Sequence, residues 1–173
     1  MSAARAFHAF FASAAIAVCV FIACHSQNQQ ETPIGPLPLS AFHVVWERVD
    51  APPVMAAGSK VSIVVRFRNA SDTVWPDPQI ADPVKLSPAH AVRLAYRWLD
   101  ANGNPVTEYS DRTELPFPIV PNQSIELPVM VTAPAQAGTY RLQFDLVQEL
   151  VAWFEDRGSA RLIVPVRVQE MPK

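Results

Sequence analysis

The sequence predicts an all-β fold, an antiparallel β-sandwich of about seven strands, placed after an apolar amino-terminal stretch and a polar tether. Three observations predict it. From Phe42 onward apolar residues recur with a period of two, the spacing that gives a strand one buried and one wetter face. Helical spacing is nowhere sustained. The runs are short and separated by turn residues, as in sandwich domains.

The elements are taken in chain order. Arg5 supplies a positive start, and Ala9 to Ile22 is a run of 14 residues whose only polar member is Ser13. As a helix it would span about 21 Å at roughly 1.5 Å per residue, short of a hydrocarbon core of about 30 Å. Its length fits the apolar region of a secretory signal. Phe21-Ile22-Ala23-Cys24 closes the run and resembles the cleavage and lipidation box of bacterial lipoproteins. That resemblance implies removal of residues 1–23 and acylation of Cys24, giving a membrane contact through lipid. His25 stands where an Asp retains such proteins at the inner membrane, so the implied destination is the outer membrane. Two alternatives stay open: an ordinary signal cut near Ala23, leaving a free thiol, and an uncleaved anchor.

The chain has 173 residues and a formal charge of −2; loss of Arg5 with the signal leaves 150 residues at −3. This balance gives no electrostatic case for nucleic acid. Cys19 and Cys24 are the only cysteines, so residues 25–173 must fold without a disulfide. Residues 24–40 read as the lipidated cysteine and a Gln-, Asn- and Pro-rich flexible tether, and 41–170 as the folded domain.

Phe42 to Val49 reads as the first strand. Val61, Ile63, Val65 and Phe67 mark a second, and Val92, Leu94, Tyr96 and Trp98 a third. Asn102-Gly103 follows as a type I′ hairpin signal, with Pro105 to Tyr109 a short extra strand. Ile125 to Val131, Tyr140 to Leu146 and Leu162 to Val168 complete the set. Asp145 to Phe154 reads as a strand end and its hairpin. Pro128 and Pro165 donate no ladder hydrogen bond and are expected at edges or bulges.

Asn69-Ala70-Ser71-Asp72-Thr73-Val74-Trp75-Pro76, with Trp46, Trp98 and Trp153, resembles the signature of Ig-like domains with four tryptophans, known from a selective-autophagy receptor and bacterial relatives. Further matches are Tyr96-Arg97-Trp98-Leu99-Asp100, Pro121-Asn122-Gln123-Ser124 and Gly138-Thr139-Tyr140-Arg141-Leu142, within about residues 42–169. Asn122 stands where the family commonly has Gly. The resemblance implies an Ig-like sandwich used for recognition or as a spacer, and no catalytic residue.

Candidate contacts follow from residue type. Tyr140, opening a strand, is expected to bond back to its corner. Trp75, Trp153 and Phe154 offer flat faces for a sugar ring or a partner's side chains, or else plug the ends of a sandwich that has no disulfide. Pro76 to His90, with four prolines, is a long connection that faces a partner or covers a sheet edge. Asp100 to Asn104 lacks the spacing of a calcium loop and reads as a turn. Asp145 and Glu149 stand about 13 Å apart along an extended strand at roughly 3.3 Å per residue, unfavourable for paired acid–base work. His25, His43 and His90 have no metal-ligand spacing. The expectation is therefore a non-enzymatic module without cofactor or metal, lipid-anchored in the cell envelope through Cys24, with a protein or polysaccharide partner. A spacer or assembly factor without a ligand pocket, and more remotely a hydrolase, are the alternatives.

Overall fold

A computed structural model describes residues 35–81, 89–110 and 112–170. The apolar stretch expected to be a signal, Cys24 and most of the expected tether lie outside the described residues, as do residues 82–88 of the proline-rich connection. The strands are β1 (Val44–Val49), β2 (Val54–Ala56), β3 (Lys60–Asn69), β4 (Val92–Leu99), β5 (Thr113–Glu114), β6 (Ser124–Thr132), β7 (Gly138–Gln148), β8 (Ala152–Trp153) and β9 (Leu162–Gln169), with one short helix, α1 (Pro78–Ala81). They form two sheets, ordered β1-β3-β6 and β2-β9-β7-β4-β5, with β8 paired on β7. The fold is the expected β-sandwich.

Alternation sets the core. Ile63, Val65 and Phe67 of β3 and Leu127, Val129 and Val131 of β6 face inward from one sheet. Leu94, Tyr96 and Trp98 of β4 and Leu142, Phe144 and Leu146 of β7 meet them from the other. Each such apolar side chain contributes about 1.5–3 kcal/mol when fully buried.

Indole N–H groups close the margins. Trp46 donates to the Ala160 carbonyl (2.7 Å) along one seam, and Trp98 to the Thr132 carbonyl (2.8 Å) along the other. At one end of the sandwich Trp75 donates to the Ala41 carbonyl (2.8 Å). Three of the four tryptophans thus join elements that no backbone ladder connects.

The prolines sit as their chemistry requires. Pro128 lies on β6, an edge strand. Thr132 directs both its N–H and its carbonyl away from β3, to Tyr96 and Trp98. The unbroken register from Thr132 to Ser124 gives Pro128 the same outward direction, where a missing N–H costs no ladder bond. Pro165 pairs with Arg141 on one side, while β2 reaches only Arg167–Gln169 on the other.

Several expectations are corrected. One pairing is parallel: the chain crosses from β1 to the other sheet without reversing, so β2 joins β9 in the same direction. Pro105 to Tyr109 is not a regular strand. It docks on β4 through a Leu99–Pro105 bridge, and the hydroxyls of Thr107 and Ser110 accept from the N–H groups of Trp98 and Tyr96 (2.9 and 3.0 Å) in place of backbone carbonyls. Asn102 does not take positive φ. Gly103 alone does (92°), and it donates to the Asp100 carbonyl (3.1 Å) while the Asp100 N–H reaches the Asn104 carbonyl (2.8 Å). This is a three-residue loop with a glycine bulge rather than a type I′ turn. Residues 35–40, expected in the tether, pack on the domain: Leu37 is buried, and its N–H donates to Gln148 Oε1 (2.9 Å).

Candidate functional site

The outer face of the larger sheet carries a polar cluster that alternation alone does not foresee. Arg93, Ala95 and Arg97 of β4 and Gln143, Asp145 and Val147 of β7 point away from the sandwich core. Yet Gln143 and Asp145 are fully buried. The cover is a second layer: residues 107–110 and Arg112 on one side, and β8 with the 3-10 turn Glu155–Arg157 on the other.

At its centre is a four-layer stack. The Arg97 guanidinium lies 4.4 Å from the Tyr109 ring centre. The Tyr109 and Trp153 rings stack at 3.7 Å with planes 19° apart. Arg112 closes the far face of Trp153 at 4.5 Å. Cation–π attraction of this kind contributes about 0.5–2 kcal/mol per contact, more as water is excluded.

Glu155 holds the polar side of the stack. Its carboxylate accepts from Tyr109 Oη (2.8 Å), Arg97 (3.1 Å) and Gln143 Nε2 (3.0 Å), and Arg161 stands 3.4 Å away. Gln143 Nε2 also donates to Tyr109 Oη (2.8 Å). Burial, the hydrogen bond to Glu155 and the nearby carboxylates raise the Tyr109 pKa, so the phenol keeps its proton. Asp145 accepts from the N–H groups of Leu146 (2.8 Å) and Glu155 (3.2 Å). Its burial, with the charges of Glu155 and Asp156 adding, pushes its pKa up to about 7 against those two donors.

The residues singled out in the sequence fall in three settings. Trp75 and Phe154 are enclosed in the core, edge to face at 5.1 Å, with Phe42 against Phe154 at 4.9 Å. They plug one end of the sandwich, and neither ring offers a face to solvent. Trp153 is half-buried, with both faces taken by Tyr109 and Arg112. Cys24 is outside the described residues. Tyr140 reaches back to the Gln136 carbonyl (3.1 Å), as its corner position requires. Its ring lies over Gly138, where a Cβ would stand 3.1 Å from it. Asp145 and Glu149 do not pair: Glu149 turns to Arg112 (3.1 Å) and Arg93 (4.0 Å). Among the described residues no three His, Cys, Asp or Glu side chains come together as metal ligands.

The residues of the Asn69–Pro76 and Pro121–Ser124 stretches explain themselves locally. Asn69 Nδ2 donates to the carbonyls of Thr73 (2.8 Å) and Ile119 (2.9 Å), while its Oδ1 accepts from the Ser71 N–H and hydroxyl (3.0 and 2.7 Å). One buried amide therefore fixes the loop that delivers Trp75. Asn122 takes φ 63° after Pro121, in a turn closed by Gln123 N–H to the Val120 carbonyl (3.1 Å). That is the position where Gly or Asn is needed.

Open concavities lie elsewhere: one of about 440 Å³ beside Gly138 and Arg167, and a chain of three along the seam between β4 and β6. A cleft of about 310 Å³ is lined by Tyr96, Trp98, Thr107, Ser110, Thr132 and Pro134. It shares walls with one of about 280 Å³ towards Lys60, Arg112 and Met130, and with one of about 320 Å³ towards Val106, Gln136 and Tyr140. The three make one groove beside the free edge of β6. The tryptophan and tyrosine spacing was visible in the sequence; the groove they wall was not, because it needs both sheets.

No protein-family model matches the chain, and no curated protein matches it. Solved structures show likeness at low identity. The CARDB domain of PF1109 from Pyrococcus furiosus, in complex with di-metal ions, is 15% identical over 74% of this chain and 94% of its own, with a TM-score of 0.45. A mutant β-glucosidase from Listeria innocua in complex with laminaribiose is 12% identical over 73% of this chain and 16% of its own, at 0.43. The alkylpurine DNA glycosylase AlkC of Pseudomonas fluorescens, bound to DNA containing an abasic site analog, is 9% identical over 73% and 30%, at 0.44. Likeness at this level carries no ligand or activity over to this chain.

Proposed function

We propose that this chain is a lipid-anchored, non-enzymatic module of the bacterial cell envelope, similar to the four-tryptophan Ig-like domains. Its sandwich recognises a protein or polysaccharide partner at the seam groove. One observation carries this reading: the groove is open and mixed in character, while on the outer face the faces of Tyr109 and Trp153 and the Glu155 carboxylate are already taken by neighbouring side chains. A network closed on itself stabilises a fold, and an open concavity lined by aromatic and polar side chains is the kind of surface that receives a ligand. Cys24, as the acylated residue, supplies the membrane contact, and the outer membrane is the destination expected from His25.

The test uses the full chain in cells. A photo-reactive residue at Met130 or Gln136, both on the groove, is expected to give discrete adducts that the same residue at Ile163, on the outer face of β9, does not. Equal labelling at all three positions would remove the groove from this account and favour a spacer role. In the same cells Cys24→Ser is expected to leave the membrane fraction or stay unprocessed. A variant at mature mass that still sediments with membranes would refute lipid anchoring.

A further inference from the structure

Leu150 is the most exposed large apolar residue among those described, at 84%, and its backbone stands at φ 62°. A leucine gains nothing from either condition. Left-handed backbone is disfavoured for bulky side chains, and Gly or Asn would serve the same turn without strain. Backbone outliers that persist on the surface are where function is to be sought.

Its neighbourhood is the end of the sandwich at which the chain arrives. Gln148, two residues before Leu150, is buried and clamps that arrival: it accepts from the Leu37 N–H and donates to the carbonyls of Gly35 and His90 (2.9 Å each). The same end carries Leu39 (65% exposed) in the arriving segment, and Phe117 (43%) and Val120 (47%) in the loop before β6. That loop joins this end through the Trp75–Ile119 bridge and the Asn122 N–H to the Asn69 carbonyl. The carboxyl-terminal strand runs the other way. Gln169 pairs beside Ala56, at the opposite end of the sheets.

We propose that this end of the domain, with Leu150 and Leu39 foremost, rests on the lipid surface. The occupant follows from the chain outside the described domain. Ten residues separate Cys24 from Gly35, a reach of at most about 40 Å over eleven steps of roughly 3.3–3.6 Å. Because Gln148 fixes where that segment meets the domain, the membrane lies on the side of Leu150. Apolar loop tips enter the headgroup boundary by about 5–10 Å, which is where an exposed leucine is relieved of water. The groove by Thr132 and Pro134 then opens away from the bilayer, at the end of β6 remote from the anchor. This inference rests on Cys24 being the lipid anchor.

The experiment separates the two. The full chain is reconstituted in phosphatidylethanolamine–phosphatidylglycerol vesicles containing nitroxide-labelled lipid. Leu150→Cys, Leu39→Cys and, as a control at an exposed apolar position of the other end, Val54→Cys are labelled with a fluorescent maleimide. With Cys24 acylated, the introduced thiol is the only reactive one after cleavage. Quenching at positions 150 and 39 is expected to exceed that at 54 by about twofold or more, from insertion at headgroup depth. Equal quenching at all three, with the unsubstituted chain unreactive to maleimide, would overturn lipid contact while leaving the anchor intact. A maleimide-reactive unsubstituted chain would overturn the anchor and this inference together.

Discussion

Two side chains show how single residues hold this fold. Asn69 satisfies two carbonyls and two donors of Ser71 from one buried amide. Asn69→Ala strands several buried partners at once, and each costs about 1–3 kcal/mol when left unsatisfied, so a loss of about 3 kcal/mol or more in urea unfolding is expected. Asp145 acts in the opposite sense. Its folded pKa is about 7, against about 3.9 for an unfolded aspartate, so between those values the native state keeps a proton that the unfolded chain has released. Its contribution is fully present below about pH 4 and is lost as pH rises towards 7, at up to about 1.4 kcal/mol per pH unit. The groups facing it are Glu155, Asp156 and, through Glu155, Arg97, Arg161 and Tyr109. On the acid side Glu47 and Asp100, both held below the ordinary carboxylate range by hydrogen bonds, lose their contribution as pH falls through their folded values. Unfolding at a series of pH values should therefore show stability falling from about pH 5 to 7. Asp145→Asn should flatten that slope, at a constant cost of about 1–3 kcal/mol because an amide nitrogen now faces a backbone N–H.

At the scale of elements, the β8 and 3-10 cover is attached in two ways that separate experimentally. Phe154 sits in the core and its N–H donates to the Leu146 carbonyl (2.9 Å), so it belongs to the cooperative unit. Trp153 belongs to the external stack. Trp153→Ala is expected to lower global stability by only about 1–2 kcal/mol, the value of its ring and cation contacts. Amide exchange at the β7–β8 pairs Val147–Trp153 and Gln148–Ala152 should accelerate much more, since a cover held at its rim opens locally. Equal acceleration throughout β7 would mean that the stack supports the whole sheet. The six long strands were legible from alternation because each has a core-facing side of Val, Ile, Leu, Phe, Tyr or Trp. The three short ones, β2, β5 and β8, were not: two or three residues carry no period, and they exist only because a longer strand offers an unpaired edge.

For the whole molecule, sequence and tertiary structure divided the work along a physical line. The sequence by itself determined the two-layer fold, the absence of any disulfide after Cys24, the exclusion of Pro128 from any position that must donate to a ladder, and the corner role of Tyr140. Each follows from covalent chemistry or from side-chain direction within one strand. Only the tertiary structure decided that Trp75 and Phe154 are plugs, that Gln143 and Asp145 are buried on the nominally wet face, and that residues 35–40 belong to the domain. Burial on an outer face depends on what another part of the chain lays over it, and periodicity within a strand carries no information about that second layer.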